Sequence, residues 1–210
     1  MLAVVLAGGE NRRLPITKGF IKIGGRRLIE GLLAGLGGLF CFDRLAISTN
    51  EPGKYFYLGV PLVGDVYPVR GPMTGIFSAL SCFPGEEGAF FIACDMPFFI
   101  AGLASRLAEI ARRPHWDNWD VIAPVWKDRA EPLFAFYSAR CLPAMEERLF
   151  AGKPALQEFL GGARTIRLNE DEVRGIDPEG HSFVNINTVS DLKAAVKMKR
   201  AKATRASASE

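Results

Sequence analysis

The sequence predicts an α/β fold, with a single three-layer α/β/α domain built around a mostly parallel sheet. Short apolar segments alternate along the chain with segments whose apolar residues follow helical spacing, which is typical of strands and helices in separate layers. The run Ala89 to Cys94 is almost wholly apolar, as expected for a strand covered on both faces at the centre of a parallel sheet. With 210 residues and 49% hydrophobic content, the chain can bury one sizeable core.

The first half begins with a predicted buried strand, Leu2 to Ala7, which leads into the glycine pair Gly8-Gly9. A short strand and turn are expected over 19–25, because apolar and polar residues alternate there before two further glycines. Apolar residues at helical spacing predict a helix from Arg27 to Leu36. The other predicted elements of this half are a strand over 44–48, a strand over 60–63, a helix over 71–80 and the strand over 89–94.

In the second half, the same periodicities predict four helices and several strands, while residues 169–182 have the composition of a loop. Thr188 and Asp191 form a capping-box pattern that predicts the start of the last helix, which is expected to reach Met198. The predicted elements are helices over 100–112, 142–150, 154–160 and 188–198, strands over 121–125, 133–137 and 183–186, and an extended segment over 165–168.

Residues 1–197 are expected to form one domain, followed by a basic, disordered tail over 198–210. The net charge of +3 arises near the end of the chain, because residues 197–210 contain five basic residues and one acidic residue. The preceding 196 residues contain 21 basic and 22 acidic residues, so no basic field for nucleic-acid binding is expected over the domain. No membrane span or signal peptide is expected, and the protein is predicted to be a cytoplasmic monomer.

Metal and nucleophile chemistry based on cysteine and histidine has little support in the sequence. The four cysteines lie far apart without a C-x-x-C pair, and only two histidines accompany them. This spacing disfavours a zinc site, and the cysteines are expected to be reduced and mostly buried. A Cys–His or Ser–His couple for hydrolysis is also disfavoured.

Polar residues follow directly on several predicted strands, where an open α/β sheet binds its ligands. The glycine pair Gly8-Gly9 follows the first strand, and Asn50, Asp65 and Asp95 follow later ones. Glycines allow backbone N–H groups to approach phosphate oxygens, and the cations in the loop after Gly9, which include Arg13 and Lys18, would neutralise phosphate charge. Carboxylates at the same edge could hold Mg²⁺. The sequence therefore predicts a nucleotide–Mg²⁺ site, although neither the P-loop nor the dinucleotide-binding glycine pattern is present.

Several motifs, spread over nearly the whole chain, resemble motifs of the molybdenum cofactor guanylyltransferases and occur in the same order. The motifs that carry the resemblance are Leu6-Ala7-Gly8-Gly9, Arg13, Lys18, Gly71-Pro72-Met73-Thr74-Gly75, Cys94-Asp95-Met96-Pro97 and Asn185-Ile186-Asn187-Thr188. The resemblance implies a mostly parallel, Rossmann-like sheet of the nucleotide-diphospho-sugar transferase type. It also implies transfer of GMP from GTP to the phosphate of Mo-molybdopterin, with Mg²⁺ as cofactor and pyrophosphate as the second product.

Residue roles follow from the resemblance motif by motif. The backbone of Leu6, Ala7, Gly8 and Gly9 would contact the nucleotide, as would Lys18, Asn50, Asp65 and Asp95. Arg13, Lys18 and Asp95 would be the catalytic residues, with Asp95 as the metal ligand. Asn185 and Asn187 would lie near the pterin substrate, as would Glu131-Pro132. Molybdenum-insertion proteins and molybdoenzymes are the expected protein partners.

Two positions depart from the family pattern, and other functions stay open. The arginine is followed by Leu14-Pro15 in place of the usual Met-Gly, and an asparagine found in some members is replaced by Ser48. The enzyme alternatives are a cytidylyltransferase for the same cofactor and a sugar-phosphate nucleotidyltransferase. The non-enzyme alternative is a GTP-binding partner of molybdoenzymes.

Overall fold

The computed structural model of the chain describes residues 1–8, 16–113 and 119–207, and residues 201–207 are described as backbone alone. The strands in these residues are β1 (Leu2–Leu6), β2 (Lys22–Ile23), β3 (Arg26–Arg27), β4 (Arg44–Ser48), β5 (Leu62–Val63), β6 (Gly88–Ala93), β7 (Val121–Trp126), β8 (Arg129–Ala130), β9 (Phe134–Ser138) and β10 (Thr165–Leu168). The helices are α1 (Leu28–Gly37), α2 (Pro52–Tyr55), α3 (Pro72–Cys82), α4 (Ala101–Ala111), α5 (Leu142–Phe150), α6 (Leu156–Gly162), α7 (Glu170–Ile176) and α8 (Val189–Ser207).

The main sheet has the strand order β10-β7-β9-β6-β1-β4-β5, with β8 paired to β7. Strand β1 is parallel to both of its neighbours, β4 and β6, and the outer pairs β4–β5 and β7–β10 are also parallel. Strand β9 is antiparallel to β6 and β7. The prediction of a mostly parallel sheet is therefore confirmed. The apolar run over 89–94 correctly predicted that β6 is a buried central strand, but only one of its neighbours, β1, is parallel to it, since β9 runs in the opposite direction.

Helices cover both faces of the sheet, which gives the predicted three layers. Alternate residues of β1 point to opposite sides, so Val5 joins the apolar cluster beneath α1 and α4, and Val4 joins the cluster beneath α3 and α5. Phe90 and Phe91 of β6 divide between the two clusters in the same way. All four side chains are completely buried, so the centre of the sheet is a rigid base for the loops at its edge.

A third, smaller cluster holds the last helix against the β2–β3 hairpin. Ile186 and Ala195 pack there with Ile21, Ile23 and Leu28. The Lys199 ammonium donates a hydrogen bond of 3.0 Å to the carbonyl oxygen of Ile23, which fixes the far part of α8 on the same hairpin. This arrangement brings residues 185–188 next to the segment that begins at Lys18.

Three expectations about the last third differ from the structure. Residues 183–186 do not form a strand, since Phe183 closes a 3₁₀ turn and Ile186 makes a single backbone bond to Asp95. The expected loop contains α7, whose start is capped by the Asn169 side chain, and with only Val173 buried the helix leaves little periodicity. Helix α8 continues to Ser207, beyond Met198, as the alanine and lysine content of this segment allows.

Within the described residues, no helix is both long enough and apolar enough to cross a bilayer.

Candidate active site

The ends of four neighbouring strands meet at one edge of the sheet, as the sequence predicted. Backbone hydrogen bonds extend the pairing just past the strand ends, from Ala7 N–H to Ser48 O at 2.9 Å and from Cys94 N–H to Leu6 O at 3.0 Å. A further bond joins Thr49 N–H to Val63 O at 2.8 Å. Because these bonds hold the chain in the sheet up to the end of each strand, the residues that follow the strands lie side by side. We call this edge, formed by residues 7–8, 49–50, 64–65 and 94–95, the rim.

Gly8 lies at the rim in a position where a ligand could approach the backbone. The side chains of Leu6 and Ala7 are buried in the core, so only their backbone groups can face a ligand. A Cβ atom built on Gly8 would meet nothing within 4 Å among the described residues, so no protein contact there requires a glycine. Gly9, also predicted to contact the nucleotide, and Arg13, predicted to be catalytic, lie outside the described residues, as does Leu14-Pro15.

Lys18, Asp95 and Asn187 meet at the rim although they come from distant parts of the sequence. The Lys18 ammonium donates to Asp95 Oδ2 at 2.6 Å and to Asn187 Oδ1 at 2.6 Å. The side chain of Lys18 is 27% exposed and that of Asp95 is 14% exposed, so the ion pair is partly shielded from water. The structure therefore brings together two predicted catalytic residues and one residue predicted to lie near the pterin.

The second carboxylate oxygen of Asp95, Oδ1, is buried and accepts no hydrogen bond from the residues that the structure describes. A buried carboxylate oxygen without a donor is costly, and a cation would satisfy it. The described residues contain no group of three or more His, Cys, Asp or Glu side chains that could hold a metal by themselves. This donor set suits Mg²⁺, which is commonly bound by one or two carboxylates together with substrate phosphates and water.

Asn50 and Asp65 form a second polar pair at the rim. The Asn50 amide donates to Asp65 Oδ2 at 2.6 Å, and the Asp65 backbone N–H donates to Asn50 Oδ1 at 2.8 Å. These reciprocal bonds orient both side chains, and Asn50 is exposed. Ser48 is buried and lies beneath α3. The exposed asparagine at the end of β4 is therefore Asn50, two residues after the position where the family pattern has it.

The turn into α3 is built around two glycines with different roles. Gly71 has φ of +144°, a backbone conformation that favours glycine, and Pro72 then occupies the first helical position. Gly75 allows the helix to approach the sheet, because a Cβ atom there would lie 2.7 Å from Ser48 Oγ and 3.3 Å from Leu6 Cδ2. The G-P-x-x-G turn thus sets the distance between α3 and the strands that carry the rim.

A cavity of about 370 Å³ opens next to Asp95, on the side of β7 and β8. Its lining combines apolar and aromatic surface with cationic, anionic and amide groups. The lining residues are Met96, Trp126, Lys127, Arg129, Glu131, Pro132, Leu133, Gln157 and Asn185. Met96 follows Asp95 directly, and Asn185 precedes Ile186, whose N–H donates to the Asp95 carbonyl oxygen at 3.0 Å. The cavity and the rim therefore share the Asp95 segment as a common wall.

Two features of the cavity wall are set by local structure. Lys127 and Asp128 both have positive φ, 50° and 62°, and this left-handed turn sends the chain from β7 back along β8. Burial raises the pKa of the half-buried Glu131 carboxyl, and the nearby Arg129 only partly offsets this. Trp126 lines the cavity, with the Arg174 guanidinium 4.4 Å from its ring centre and the Phe183 ring packed against it.

Cys94, beside Asp95, is not a nucleophile at neutral pH. Burial, together with the neighbouring Asp95 charge, raises the pKa of its thiol to about 12. The thiolate is the reactive form, so the thiol stays protonated and inert. Cys41 and Cys141 are buried as well and Cys82 is exposed, which confirms the expectation that the cysteines are mostly buried.

Sequence reasoning missed part of the cavity wall. It assigned no role to Lys127 to Arg129, which lie between the predicted strands over 121–125 and 133–137, and Gln157 gave no signal at all. The Gln157 amide donates to the Ala130 carbonyl oxygen at 2.8 Å, a contact between α6 and β8 that no local pattern encodes. The sequence feature that could have indicated this wall is the turn between two strands that carries Lys127 and Arg129.

Comparison with known proteins agrees with this geometry. The family model for the MobA-like NTP transferase domain matches residues 3–169. A protein of Natranaerobius thermophilus named "Probable molybdenum cofactor guanylyltransferase" is 33% identical, over 93% of this chain and 94% of its own. The "Molybdenum cofactor guanylyltransferase" of Desulfosudis oleivorans is also 33% identical, over 91% of this chain and 92% of its own.

Among solved structures, molybdopterin-guanine dinucleotide biosynthesis protein A from Archaeoglobus fulgidus has a similar fold. It superimposes with a TM-score of 0.79 and 26% sequence identity, covering 95% of this chain and 99% of that one. The fold is that of the nucleotide-diphospho-sugar transferases. The chain therefore belongs to the MobA-like NTP transferase family and, within it, to the molybdenum cofactor guanylyltransferases.

Proposed function

We propose that this enzyme transfers GMP from GTP to the phosphate of Mo-molybdopterin and releases pyrophosphate. The observation that carries the proposal is the position of Asp95, between a rim with the Lys18 cation on one side and a polar, aromatic cavity on the other. Transfer between two phosphorylated substrates needs two adjacent subsites with cationic groups where the phosphates meet. The family membership supports GTP and molybdopterin as the two substrates.

The triphosphate is proposed to lie along the rim. Gly8 offers an approach to the backbone, Lys18 supplies a compact positive charge and Arg13 could bind phosphate through two parallel hydrogen bonds. Asn50 and Asp65 would contact the nucleoside end. Lys18 would stabilise the negative charge that develops on the departing pyrophosphate.

Asp95 is proposed to hold Mg²⁺ through Oδ1, the oxygen that accepts no hydrogen bond from the described residues. When bound, Mg²⁺ would neutralise phosphate charge and make the α-phosphorus easier to attack. Asp95 Oδ2 would keep its bond to Lys18, so the carboxylate would place both positive charges at the same end of the triphosphate.

The cavity is proposed to hold the acceptor. Its volume suits a small ring ligand, and Trp126 forms part of its aromatic wall, with Arg174 stacked on the Trp126 ring. Glu131, Gln157 and Asn185 offer acceptors and donors for the polar edge of a pterin, and Arg129 offers a cation for an anionic group. The attacking group is an ionised phosphate, so no general base is required of the protein. The reaction is proposed to take place in the cytoplasm.

Pyrophosphate release and product formation test the proposal. Each nucleoside triphosphate is supplied in turn, with and without Mo-molybdopterin and with and without Mg²⁺. We expect release only with GTP, acceptor and Mg²⁺ together, and the product should be molybdopterin guanine dinucleotide. A preference for CTP would instead make the protein a cytidylyltransferase, and binding of GTP without any release would favour a non-catalytic GTP-binding partner.

A further inference from the structure

We infer that Asn187 is a positioning residue for Lys18, and that it acts on the GTP side of the reaction instead of contacting the pterin. This inference deepens the proposed function and rests on it. Asn187 was predicted to lie near the pterin, together with Asn185. The structure separates the two asparagines, which lie two residues apart in the same motif, into different surroundings.

The contact between Asn187 and Lys18 is direct. Asn187 Oδ1 and Asp95 Oδ2 each accept a hydrogen bond of 2.6 Å from the Lys18 ammonium. An ammonium has three N–H donors, so these two bonds define its direction and leave one donor for a phosphate oxygen. Lysine has a long, flexible side chain, and one acceptor alone would allow the ammonium to pivot.

The chemistry of the amide suits this role. A neutral amide oxygen directs the ammonium without cancelling its charge, whereas a second carboxylate at this position would add negative charge where the triphosphate must bind. The ion pair of Lys18 with Asp95 is neutral as a unit, and an amide at position 187 adds no further negative charge to it.

The backbone around Asn187 is fixed at several points, so its side chain starts from a well-defined place. The Ile186 N–H donates to the Asp95 carbonyl oxygen at 3.0 Å, and the Ile186 side chain is completely buried against the β2–β3 hairpin. The N–H groups of Asn187 and Thr188 both donate to Asp191 Oδ2, at 2.9 and 2.8 Å. The start of α8 thus holds Asn187 at a fixed distance from both Lys18 and Asp95.

Asn185 has a different environment and provides a matched contrast. It lines the cavity proposed for the acceptor, and its amide donates to the Phe183 carbonyl oxygen at 3.4 Å. The same substitution at the two asparagines should therefore affect different substrates.

The test compares five proteins, namely the unaltered enzyme, Asn187→Ala, Lys18→Ala, the double variant and Asn185→Ala. GTP affinity is measured by calorimetry with Mg²⁺ and without acceptor, and KM is measured separately for each substrate. Asn187→Ala should weaken GTP binding about threefold to tenfold, because Lys18 loses one charge-assisted hydrogen bond but keeps its bond to Asp95. It should raise KM for GTP and leave KM for Mo-molybdopterin unchanged. In the Lys18→Ala background, the same change should have no further effect on GTP binding.

Asn185→Ala should show the opposite pattern, with GTP affinity within about twofold of the unaltered enzyme and a raised KM for Mo-molybdopterin. Asn187 is exposed, so its replacement should not unfold the protein, and thermal unfolding verifies this. The inference is overturned if Asn187→Ala raises the acceptor KM with normal GTP affinity, or if its effect on GTP persists without Lys18. Failure of the unaltered enzyme to bind any GTP would instead overturn the proposed function.

Discussion

At the residue scale, Asp95 connects most of the proposed chemistry. Its Oδ2 accepts a hydrogen bond from Lys18, its Oδ1 is buried without a hydrogen bond from the described residues, and its carbonyl oxygen accepts the Ile186 N–H. The side chain therefore acts at the rim, while the backbone holds the segment that precedes α8. Replacing the side chain therefore tests its role at the rim and leaves the backbone bond to Ile186 in place.

The first prediction concerns this side chain. Asp95→Asn should lower the rate of pyrophosphate release by at least about 10²–10³-fold, because it removes the negative charge proposed to hold Mg²⁺ and to pair with Lys18. Asp95→Ala should abolish turnover. Thermal unfolding should show that both variants remain folded. A near-normal rate at saturating Mg²⁺ in either variant would contradict the metal assignment.

The second prediction concerns Gly8. Ala at this position meets no atom within 4 Å among the described residues, so Gly8→Ala should leave the unfolding temperature unchanged. It should still weaken GTP binding by about tenfold or more, because the added methyl group would occupy the space proposed for the nucleotide. Gly53→Ala is the control, since its Cβ also meets nothing within 4 Å. Equal GTP affinity in Gly8→Ala and Gly53→Ala would rule out contact between the nucleotide and Gly8.

The third prediction concerns pH and Glu131. Burial raises the pKa of this carboxyl above its ordinary value of 4.5, so the folded state favours the protonated form. The contribution of Glu131 to stability is present below pH 4.5 and is lost as pH rises through the raised value. Glu131→Gln should therefore be more stable than the unaltered protein at pH 7, with the difference shrinking toward pH 4. Denaturant unfolding between pH 4 and pH 7 measures this difference in stability. A Glu131→Gln variant that is less stable than the unaltered protein at pH 7 would contradict a raised pKa for Glu131.

Among the secondary-structure elements, the strand ends are the part of the site that the sequence predicts best. Parallel strands deliver their carboxyl ends to one edge, so Asn50, Asp65 and Asp95 could be placed together from three apolar runs. The sequence could not predict which side chains pair there. Asn50 pairs with Asp65 and Lys18 with Asp95 because the packed sheet sets the directions of these side chains.

The irregular last third was the least predictable part. Helix α7 presents mostly charged residues and buries one side chain, so its sequence reads as a loop. Residues 183–186 are apolar enough for a strand, yet they serve to pack Ile186 against the hairpin. The cavity wall also depends on this third of the chain, which explains why Gln157 was missed.

The fourth prediction concerns the approach of α3 to the sheet. Gly75→Ala should destabilise the protein by about 1–3 kcal/mol, because the new Cβ would lie 2.7 Å from Ser48 Oγ. Adding Ser48→Ala should recover part of this loss, since it removes the nearest atom. The change Gly31→Ala in α1 is the control, because its nearest neighbour is the Arg26 side chain at 3.8 Å, and it should stabilise the helix by about 0.5–1 kcal/mol. Equal effects at the two glycines, measured by denaturant unfolding, would contradict the packing argument.

At the scale of the whole molecule, the fold places two different surfaces on either side of one short segment. Residues 94–96 leave the central strand β6, with Asp95 at the rim and Met96 in the cavity. The rim is made by parallel strands on one side of β6, and the cavity by the β7–β8 turn beyond β9 on the other. The change of strand direction at β9 thus separates the proposed nucleotide and acceptor subsites.

Helix α8 connects the two subsites to the rest of the domain. Its start orients Asn187 through Asp191, and Lys199, more than two turns further on, is held by the β2–β3 hairpin. The sequence predicted this helix and its capping pattern. It gave no indication that Asn187, just before this helix, contacts Lys18, because that contact joins residues 169 positions apart.

A crystal structure of the enzyme with GTP and Mg²⁺ would show directly whether the nucleotide and the metal bind at the rim. We expect the triphosphate along the rim near Gly8, with the Lys18 ammonium on a phosphate oxygen, Mg²⁺ on Asp95 Oδ1 and the nucleoside end at Asn50 and Asp65. Nucleotide density in the cavity beside Trp126, or a metal ion bound without Asp95, would contradict this expectation.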